Sequence, residues 1–265
     1  GEQENEGTRK LLGAAGIEVG EGNPDFGLTH EKSMVVDDKW AFVQSMNWNT
    51  KNLTETRDYA IITSHRDEIT ELTDCFDADW SRQKFEPRKD SGLIWCPGNG
   101  RERIARFIDQ ADHHLVLQNE RFQDPVIIER LVRAALRGVK VHIMTRAPHT
   151  LKKDKLLEGI SGLRLLDDVR IKIHKVRHLH GKMLLADHAR AIIGSINLAP
   201  GSFDDRRELA IEVSDEAIIQ RLEKTARLDW KDSTAMDLTA HGLLADLPKG
   251  SGLIDRLGAT TDALF

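Results

Sequence analysis

Two stretches of this chain carry the same polar residues in the same order, at a constant separation of 150 positions (30 to 180, 47 to 197). The first stretch contains His30, Lys32, Asp37, Ser45 and Asn47, and the second contains His180, Lys182, Asp187, Ser195 and Asn197. The register continues through Arg57, Asp58, Ala60 and Ile61, which correspond to Arg207, Glu208, Ala210 and Ile211. A long repeat in constant register indicates a duplicated structural unit. Because the repeated positions are mostly polar, the pattern predicts two half-sites that form one active site.

Each His-x-Lys pair lies in a stretch that predicts a β-strand. Residues i and i+2 of a strand point to the same face, so each copy presents an imidazole beside an ammonium group. The lysines would neutralise phosphate oxygens, and the Asn and Ser side chains would add hydrogen bonds. Displacement at phosphorus needs a nucleophile at one end and a proton donor at the other, which two imidazoles can provide. We therefore expect phosphoryl chemistry with no metal and no cofactor, because a lysine beside each histidine repels a cation.

Two carboxylates at matching positions, Asp58 and Glu208, are candidates to accept an N–H from a histidine and so fix its tautomer. The sequence does not say which carboxylate serves which ring. Ordinary ion pairs with the neighbouring Arg57 and Arg207 are an equally good interpretation.

Other residues near the motifs have two interpretations each. Gln118 and Glu120 could face the pocket, but a solvated loop is the preferred interpretation. Trp48 could border the pocket, and core packing is at least as good an explanation. A basic cluster consists of Lys152, Lys153 and Lys155. We expect it to be a solvated helix face, and contact with anionic lipid is the alternative.

The composition is that of a globular protein with a sizeable core: 265 residues, 40% of them apolar, and a formal net charge of −5. Proteins that bind duplex nucleic acid usually have a strongly basic surface, so nucleic acid is disfavoured as a partner. No stretch approaches the roughly 18 apolar residues of a membrane span, and no secretory signal opens the chain. Cys75 and Cys96 are expected to be buried thiols, with a single disulfide as the alternative.

Strand patterns that alternate with helix patterns predict an α/β fold. The charged segment 86–92 is expected to link two lobes, residues 1–92 and 93–265, the second ending in a weakly patterned tail. Each lobe is expected to contain a mixed sheet flanked by helices. The second lobe has strand and helix patterns over 101–146 ahead of its motif, whereas only 29 residues precede His30. We therefore expect the first lobe to be incomplete at its N-terminus, its sheet being completed by a missing segment or by a partner.

The whole pattern, H-x-K-x4-D-x6-G-S-x-N written twice, resembles that of the phospholipase D superfamily. The second copy, HGKMLLADHARAIIGSIN, matches fully, and the first, HEKSMVVDDKWAFVQSMN, has Gln44 in place of Gly. The resemblance implies two related lobes whose motifs meet across a pseudo-twofold axis. It also implies that His30 forms a phosphohistidine, that His180 acts as acid and base, and that Asp37 and Asp187 are structural. The Gln44 difference is expected to tighten the backbone beside it and to alter the phosphate geometry of the first lobe.

The superfamily includes phospholipases, cardiolipin and phosphatidylserine synthases, and nucleases, so the fold alone does not fix the substrate. The second lobe is most similar to bacterial phospholipase D-like and cardiolipin synthase-like proteins, and two motifs in one chain favour the lipid branch. The first hypothesis is therefore hydrolysis or transphosphatidylation of phospholipids, by a soluble or peripheral protein of the bacterial cytoplasm, periplasm or exterior. The alternatives are a nuclease for DNA or RNA, and a catalytically silent phosphate-binding module. A pocket with an apolar rim would favour lipid, and a basic groove would favour the nuclease.

Overall fold

The computed structural model describes residues 2–147, 153–239 and 242–243. The helices in this part of the chain are α1 (Glu2–Ala14), α2 (Thr50–Thr54), α3 (Arg66–Trp80), α4 (Gly100–Asp109), α5 (Pro125–Leu136), α6 (Lys153–Asp168), α7 (Pro200–Asp204) and α8 (Glu216–Asp232). The strands are β1 (Leu28–Thr29), β2 (Ser33–Val36), β3 (Trp40–Gln44), β4 (Ala60–Thr63), β5 (Leu93–Cys96), β6 (His114–Gln118), β7 (Lys140–Thr145), β8 (Lys172–Lys175), β9 (Lys182–Ala186), β10 (Arg190–Gly194), β11 (Arg206–Val213) and β12 (Thr234–Ala235). The side chains of the lysine cluster at 152–155, and most of the C-terminal tail, lie outside the described residues.

Nine strands form one mixed sheet in the order β1-β11-β10-β9-β6-β7-β8-β12, with β5 paired to the other edge of β11. Strands β6, β7 and β8 run parallel, and the helices α5 and α6 make the crossovers that parallel neighbours require. Strands β2, β3 and β4 form a separate antiparallel sheet. The predicted α/β fold class, with a mixed sheet flanked by helices, is confirmed.

A shared apolar core joins the two sheets, and equivalent positions of the repeat supply it. The first copy contributes Ala41, Val43 and Ile61, and the second contributes Ala191, Ile193 and Ile211. Helices α3 and α8 add Leu72 and Leu222 to this cluster. Both cysteines are buried and free, as the preferred interpretation predicted: Cys75 belongs to this core and Cys96 to the one beneath α4 and α5.

The two copies differ in the exposure of the sheet face that points away from the shared core. In the second copy, Leu184 and Ile192 are each 2% exposed and belong to the core formed with α4 and α5. In the first copy, the residue equivalent to Leu184 is Met34, which is 37% exposed, and Ile62 on the same sheet is 54% exposed. The described residues therefore leave an apolar sheet face of the first copy uncovered.

The motif carboxylates lie in hairpin turns, where Asp37 and Asp187 adopt left-handed backbone angles (φ of 53° and 52°). The Asp187 carboxylate accepts hydrogen bonds from the backbone N–H groups of Asp112, His113 and His114 at 2.7–2.8 Å. Burial works to raise the pKa of Asp187, but these donors outweigh it and the pKa lies below its ordinary value. The contact ties the β9–β10 hairpin to the start of β6.

Candidate active site

The two His-x-Lys motifs lie close together because each one docks on the backbone of the other copy. His30 N donates a hydrogen bond to Arg207 O at 2.8 Å, and β1 pairs in parallel with the start of β11. In the same way, His180 N donates to Arg57 O at 3.1 Å, and Arg57 forms a parallel bridge with Leu179. The repeat thus builds one site from reciprocal contacts.

Each histidine is held by the carboxylate of the other copy. His30 Nδ1 lies 2.8 Å from Glu208 Oε2, and His180 Nδ1 lies 2.7 Å from Asp58 Oδ1. The side chains of Glu208 and Asp58 are 0% and 3% exposed, whereas those of the histidines are 19% and 14% exposed. With the proton of a neutral ring held on Nδ1, the Nε2 lone pair is free to act as a nucleophile or base.

The motif serines hold these carboxylates, so the prediction that they bond phosphate directly is wrong in this structure. Ser45 Oγ donates to Asp58 Oδ1 and Ser195 Oγ donates to Glu208 Oε2, both at 2.6 Å. Both serines are fully buried. Gln44, which replaces the motif glycine, is also buried, and the Ser45 contact beside it has the same length as the Ser195 contact.

Arg57 and Arg207 pair with other acids, so the ion-pair interpretation of Asp58 and Glu208 is wrong. Arg57 forms a two-pronged bond to Asp229 on α8, at 2.8 Å for each prong. Arg207 forms the matching bond to Asp79 on α3, at 2.8 and 2.9 Å. Asp79 and Asp229 are themselves 150 positions apart and each precedes a tryptophan, a signal that an extended search of the repeat would have found.

The two motif lysines sit in different surroundings. Lys32 Nζ and Lys182 Nζ each donate to the carbonyl oxygen of the histidine two residues earlier. Lys182, only 2% exposed, also donates to Glu120 Oε2 at 2.9 Å, whereas Lys32 has no carboxylate within bonding distance among the described residues. Burial lowers the pKa of Lys32 to about 8. Among the described residues, Lys182 is therefore paired with a carboxylate and Lys32 is not.

The two motif asparagines also have different hydrogen-bond partners. Asn47 Nδ2 donates to Asn52 Oδ1 at 3.2 Å, on the first turn of α2. Asn197 is 3% exposed, and its Oδ1 has no hydrogen-bond partner among the described residues. A buried polar atom without a partner is unusual and is often satisfied by a ligand.

Glu120 belongs to the site, which corrects the solvated-loop interpretation. Its carboxylate accepts from Lys182 at 2.9 Å and from Arg146 Nη1 at 2.8 Å, and its Oε2 lies 4.0 Å from His180 Nε2. Although burial works against it, these cations lower the pKa of Glu120 to about 2. The repeat gave no signal for this residue because the position 150 residues earlier would lie before residue 1 of this sequence.

Gln118 lies in the interior and not in a loop, because it ends the buried strand β6. Its Oε1 accepts from the hydroxyl of Tyr59 at 2.5 Å, and its Nε2 donates to Asp229 at 2.9 Å. Since Asp229 also holds Arg57, this network connects β6 to the backbone that anchors the second motif.

The charged groups around the two candidate catalytic histidines, His30 and His180, are different. Burial lowers the pKa of His30 and outweighs the opposing effect of Glu208, so this ring is neutral at neutral pH. Burial raises the pKa of Asp58, but hydrogen bonds from His180, Ser45 and Thr56 outweigh it and lower the pKa below its ordinary value. His180 therefore lies between two ionised carboxylates, Asp58 and Glu120.

Most of the chain matches a known protein family. Residues 2–80 and 104–230 match the family described as cardiolipin synthase, PLD-like domain. The chain belongs to this family. The predicted resemblance to the phospholipase D superfamily is thereby confirmed, and membership supports phosphodiester chemistry of that type.

Individual relatives are distant. The chain is 28% identical over 135 residues to a phospholipase D of Rickettsia felis, covering 50% of this chain and 64% of that protein. It is 25% identical over 229 residues to cardiolipin synthase B of Salmonella typhi, covering 73% and 53%. A polyphosphate kinase structure from Porphyromonas gingivalis superimposes with a TM-score of 0.68 at 15% identity, covering 98% of this chain and 43% of that one, which supports the fold alone. The chain thus spans 64% and 53% of the length of these two relatives, and 43% of the polyphosphate kinase chain.

None of the helices in the described part of the chain is both long and apolar enough to cross a bilayer.

Proposed function

We propose that the protein hydrolyses phospholipid phosphodiesters, or transfers their phosphatidyl groups, without a metal and through a phosphohistidine intermediate. The observation that carries this proposal is the pair of crossed carboxylate–histidine contacts, Glu208 with His30 and Asp58 with His180. Two oriented imidazoles beside two lysines supply what displacement at phosphorus needs: a nucleophile, a proton donor and charge neutralisation.

His30 is the proposed nucleophile. Its ring is neutral and its Nδ1 is held by Glu208, so Nε2 can attack phosphorus. An N–P bond forms, the ester O–P bond breaks, and the leaving oxygen takes a proton from His180. His180 is the proposed donor because its ring lies between two carboxylates, with Asp58 2.7 Å from Nδ1 and Glu120 4.0 Å from the reactive Nε2.

The second step reverses the roles. His180, now neutral, takes the proton of water or of an acceptor alcohol. The resulting oxygen nucleophile attacks phosphorus, and the N–P bond to His30 breaks. Lys32 and Lys182 neutralise the oxygens in both steps, and Asn197 offers a buried side chain with an unused polar atom.

Two observations favour lipid over nucleic acid. The relatives are named phospholipase D and cardiolipin synthase. Apolar side chains also follow Asn47 at the surface: Trp48 is 61% exposed and Leu53 is 55% exposed, which rules out the core-packing interpretation of Trp48. An exposed apolar surface beside a phosphate site fits the edge of a lipid layer.

The test is to incubate the protein with vesicles of phosphatidylcholine or phosphatidylglycerol, and with single-stranded DNA, each with EDTA present. We expect release of choline or glycerol, loss of that release in His30→Ala and His180→Ala, and no effect of the matched control His65→Ala, an exposed histidine at the start of α3. Cleavage of DNA without lipid turnover would support the nuclease instead. Binding without turnover of any phosphodiester would support the silent module.

A further inference from the structure

Two arginines beside the site lack any partner among the described residues. Arg121 directly follows Glu120, the carboxylate next to His180. Arg206 precedes Glu208 by two positions on β11, so its side chain points to the same face of the strand as the carboxylate that holds His30. Both arginines are partly buried, yet neither side chain forms a hydrogen bond or ion pair within the described part of the chain.

The arginines also lie close enough to repel each other. Burial lowers the pKa of Arg121, and Arg206 is the next largest cause of that lowering. Partly buried guanidinium groups are usually paired with a carboxylate, since removing an unpaired charge from water is unfavourable. Arg146 shows the usual arrangement here, because it is bonded to Glu120.

The charges around the site are therefore unbalanced. Within the described part of the chain, the cations beside the site are Lys32, Lys182, Arg121, Arg146 and Arg206, and the carboxylates bonded to its histidines or lysines are Asp58, Glu120 and Glu208. These cations exceed these carboxylates by two, whereas a phosphodiester carries one negative charge. At the position equivalent to Arg206, the first copy has Thr56, whose hydroxyl donates to Asp58 at 2.5 Å.

We propose that Arg121 and Arg206 form a second phosphate subsite beside the catalytic centre, which binds an additional phosphate of the substrate headgroup or of the acceptor. This assignment rests on the proposed phosphodiester function and names a substrate class for it: small molecules with two phosphate groups. Guanidinium groups bind phosphate through paired hydrogen bonds. Two unpaired arginines match one extra phosphate, whereas a nucleic acid would need a row of cations along its backbone.

The test measures inhibition by inorganic pyrophosphate and by orthophosphate of the turnover of bis(p-nitrophenyl) phosphate, a phosphodiester with one phosphate. We expect pyrophosphate to inhibit at a concentration about tenfold or more below that of orthophosphate. The double variant R121Q/R206Q should lose most of this ratio. The matched control Arg66→Gln removes an exposed arginine at the start of α3 that has no ion pair among the described residues, and this variant should keep the ratio.

Equal inhibition by the two ions in the wild type, or an unchanged ratio in the double variant, would overturn the subsite. In another outcome, a single-stranded oligonucleotide inhibits more strongly than pyrophosphate, and this inhibition is lost in the double variant. That result would overturn the assignment of the subsite to a small headgroup. Calorimetric titration of the wild type and both variants with pyrophosphate tests the subsite without turnover. Absence of turnover would therefore contradict the proposed function alone.

Discussion

Replacement of Glu208 by Gln should block the first chemical step while leaving the fold intact. Glu208 is fully buried, accepts from Ser195 at 2.6 Å, and lies 2.8 Å from His30 Nδ1. A glutamine amide can donate to Nδ1, which then carries no proton, and a neutral ring must place its proton on Nε2. That tautomer has no lone pair to attack phosphorus.

The magnitude follows from the contact that is lost. A hydrogen bond to a charged group contributes roughly 1.5–3 kcal/mol, and the tautomer change adds to it, so we expect a barrier about 4 kcal/mol higher. At about 1.36 kcal/mol for each factor of ten, this corresponds to a rate about 10³-fold lower. An amide in place of the carboxylate beside a catalytic histidine of a serine protease has an effect of similar scale, about 10⁴-fold.

The assay is a pre-steady-state burst measurement with a p-nitrophenyl phosphodiester in excess over the protein, and its acidic leaving group departs without a proton. The Asp58→Asn variant, which affects the proton donor His180, should still release one equivalent of p-nitrophenol rapidly and then stall. The Glu208→Gln variant should release it about 10³-fold more slowly. Glu212→Gln, on the same strand but bonded to Arg103, is the control for loss of a carboxylate. A rapid burst in Glu208→Gln, or its loss in Asp58→Asn alone, would show that the nucleophile is not His30.

Three further predictions follow from the charged groups. The value of kcat/KM should fall at acidic pH, below the ordinary range of an imidazole, as His30 becomes protonated, and KM should rise above pH 8 as Lys32 loses its charge. In a pH profile, Lys32→Arg should move the rise of KM to higher pH. An unchanged rise would rule out this lysine as its source. Removal of Arg207, whose side chain is 5% exposed, leaves Asp79 unpaired, so Arg207→Met should lower the free energy of unfolding by about 3–5 kcal/mol in a urea titration. Arg57→Met should lower it by only about 1 kcal/mol, because Arg57 is 41% exposed and the buried Asp229 keeps a hydrogen bond from Gln118 Nε2 at 2.9 Å; equal losses would contradict the role of arginine burial. Turnover of a soluble phosphodiester should be the same after dialysis against EDTA as before, and its recovery only on adding a divalent cation would contradict the metal-independent mechanism.

The alternation of strand and helix patterns predicted the fold class. The repeat predicted the residues that meet, because equal spacing in the two copies corresponds to equal positions in the two structural units. It could not predict which carboxylate holds which histidine, since the crossing of Glu208 to His30 depends on how the two copies dock. The role of Ser195 was missed for a related reason: a serine near a phosphate site suits a ligand contact as well as it suits a carboxylate. Those details depend on distances between copies, and a sequence gives distances only within one copy.

Glu120 was missed for a different reason, and that reason bears on the mechanism. A duplicated site on its own gives two equivalent histidines, whereas displacement at phosphorus needs one neutral and one protonated ring at the same pH. The difference has to come from residues that are not the same around the two rings. Among the described residues, Glu120 supplies such a difference, since it lies 4.0 Å from Nε2 of His180 and no carboxylate lies within 4.0 Å of Nε2 of His30. The repeat therefore predicts the shared chemistry, and the direction of the reaction depends on residues outside its matched positions, such as Glu120.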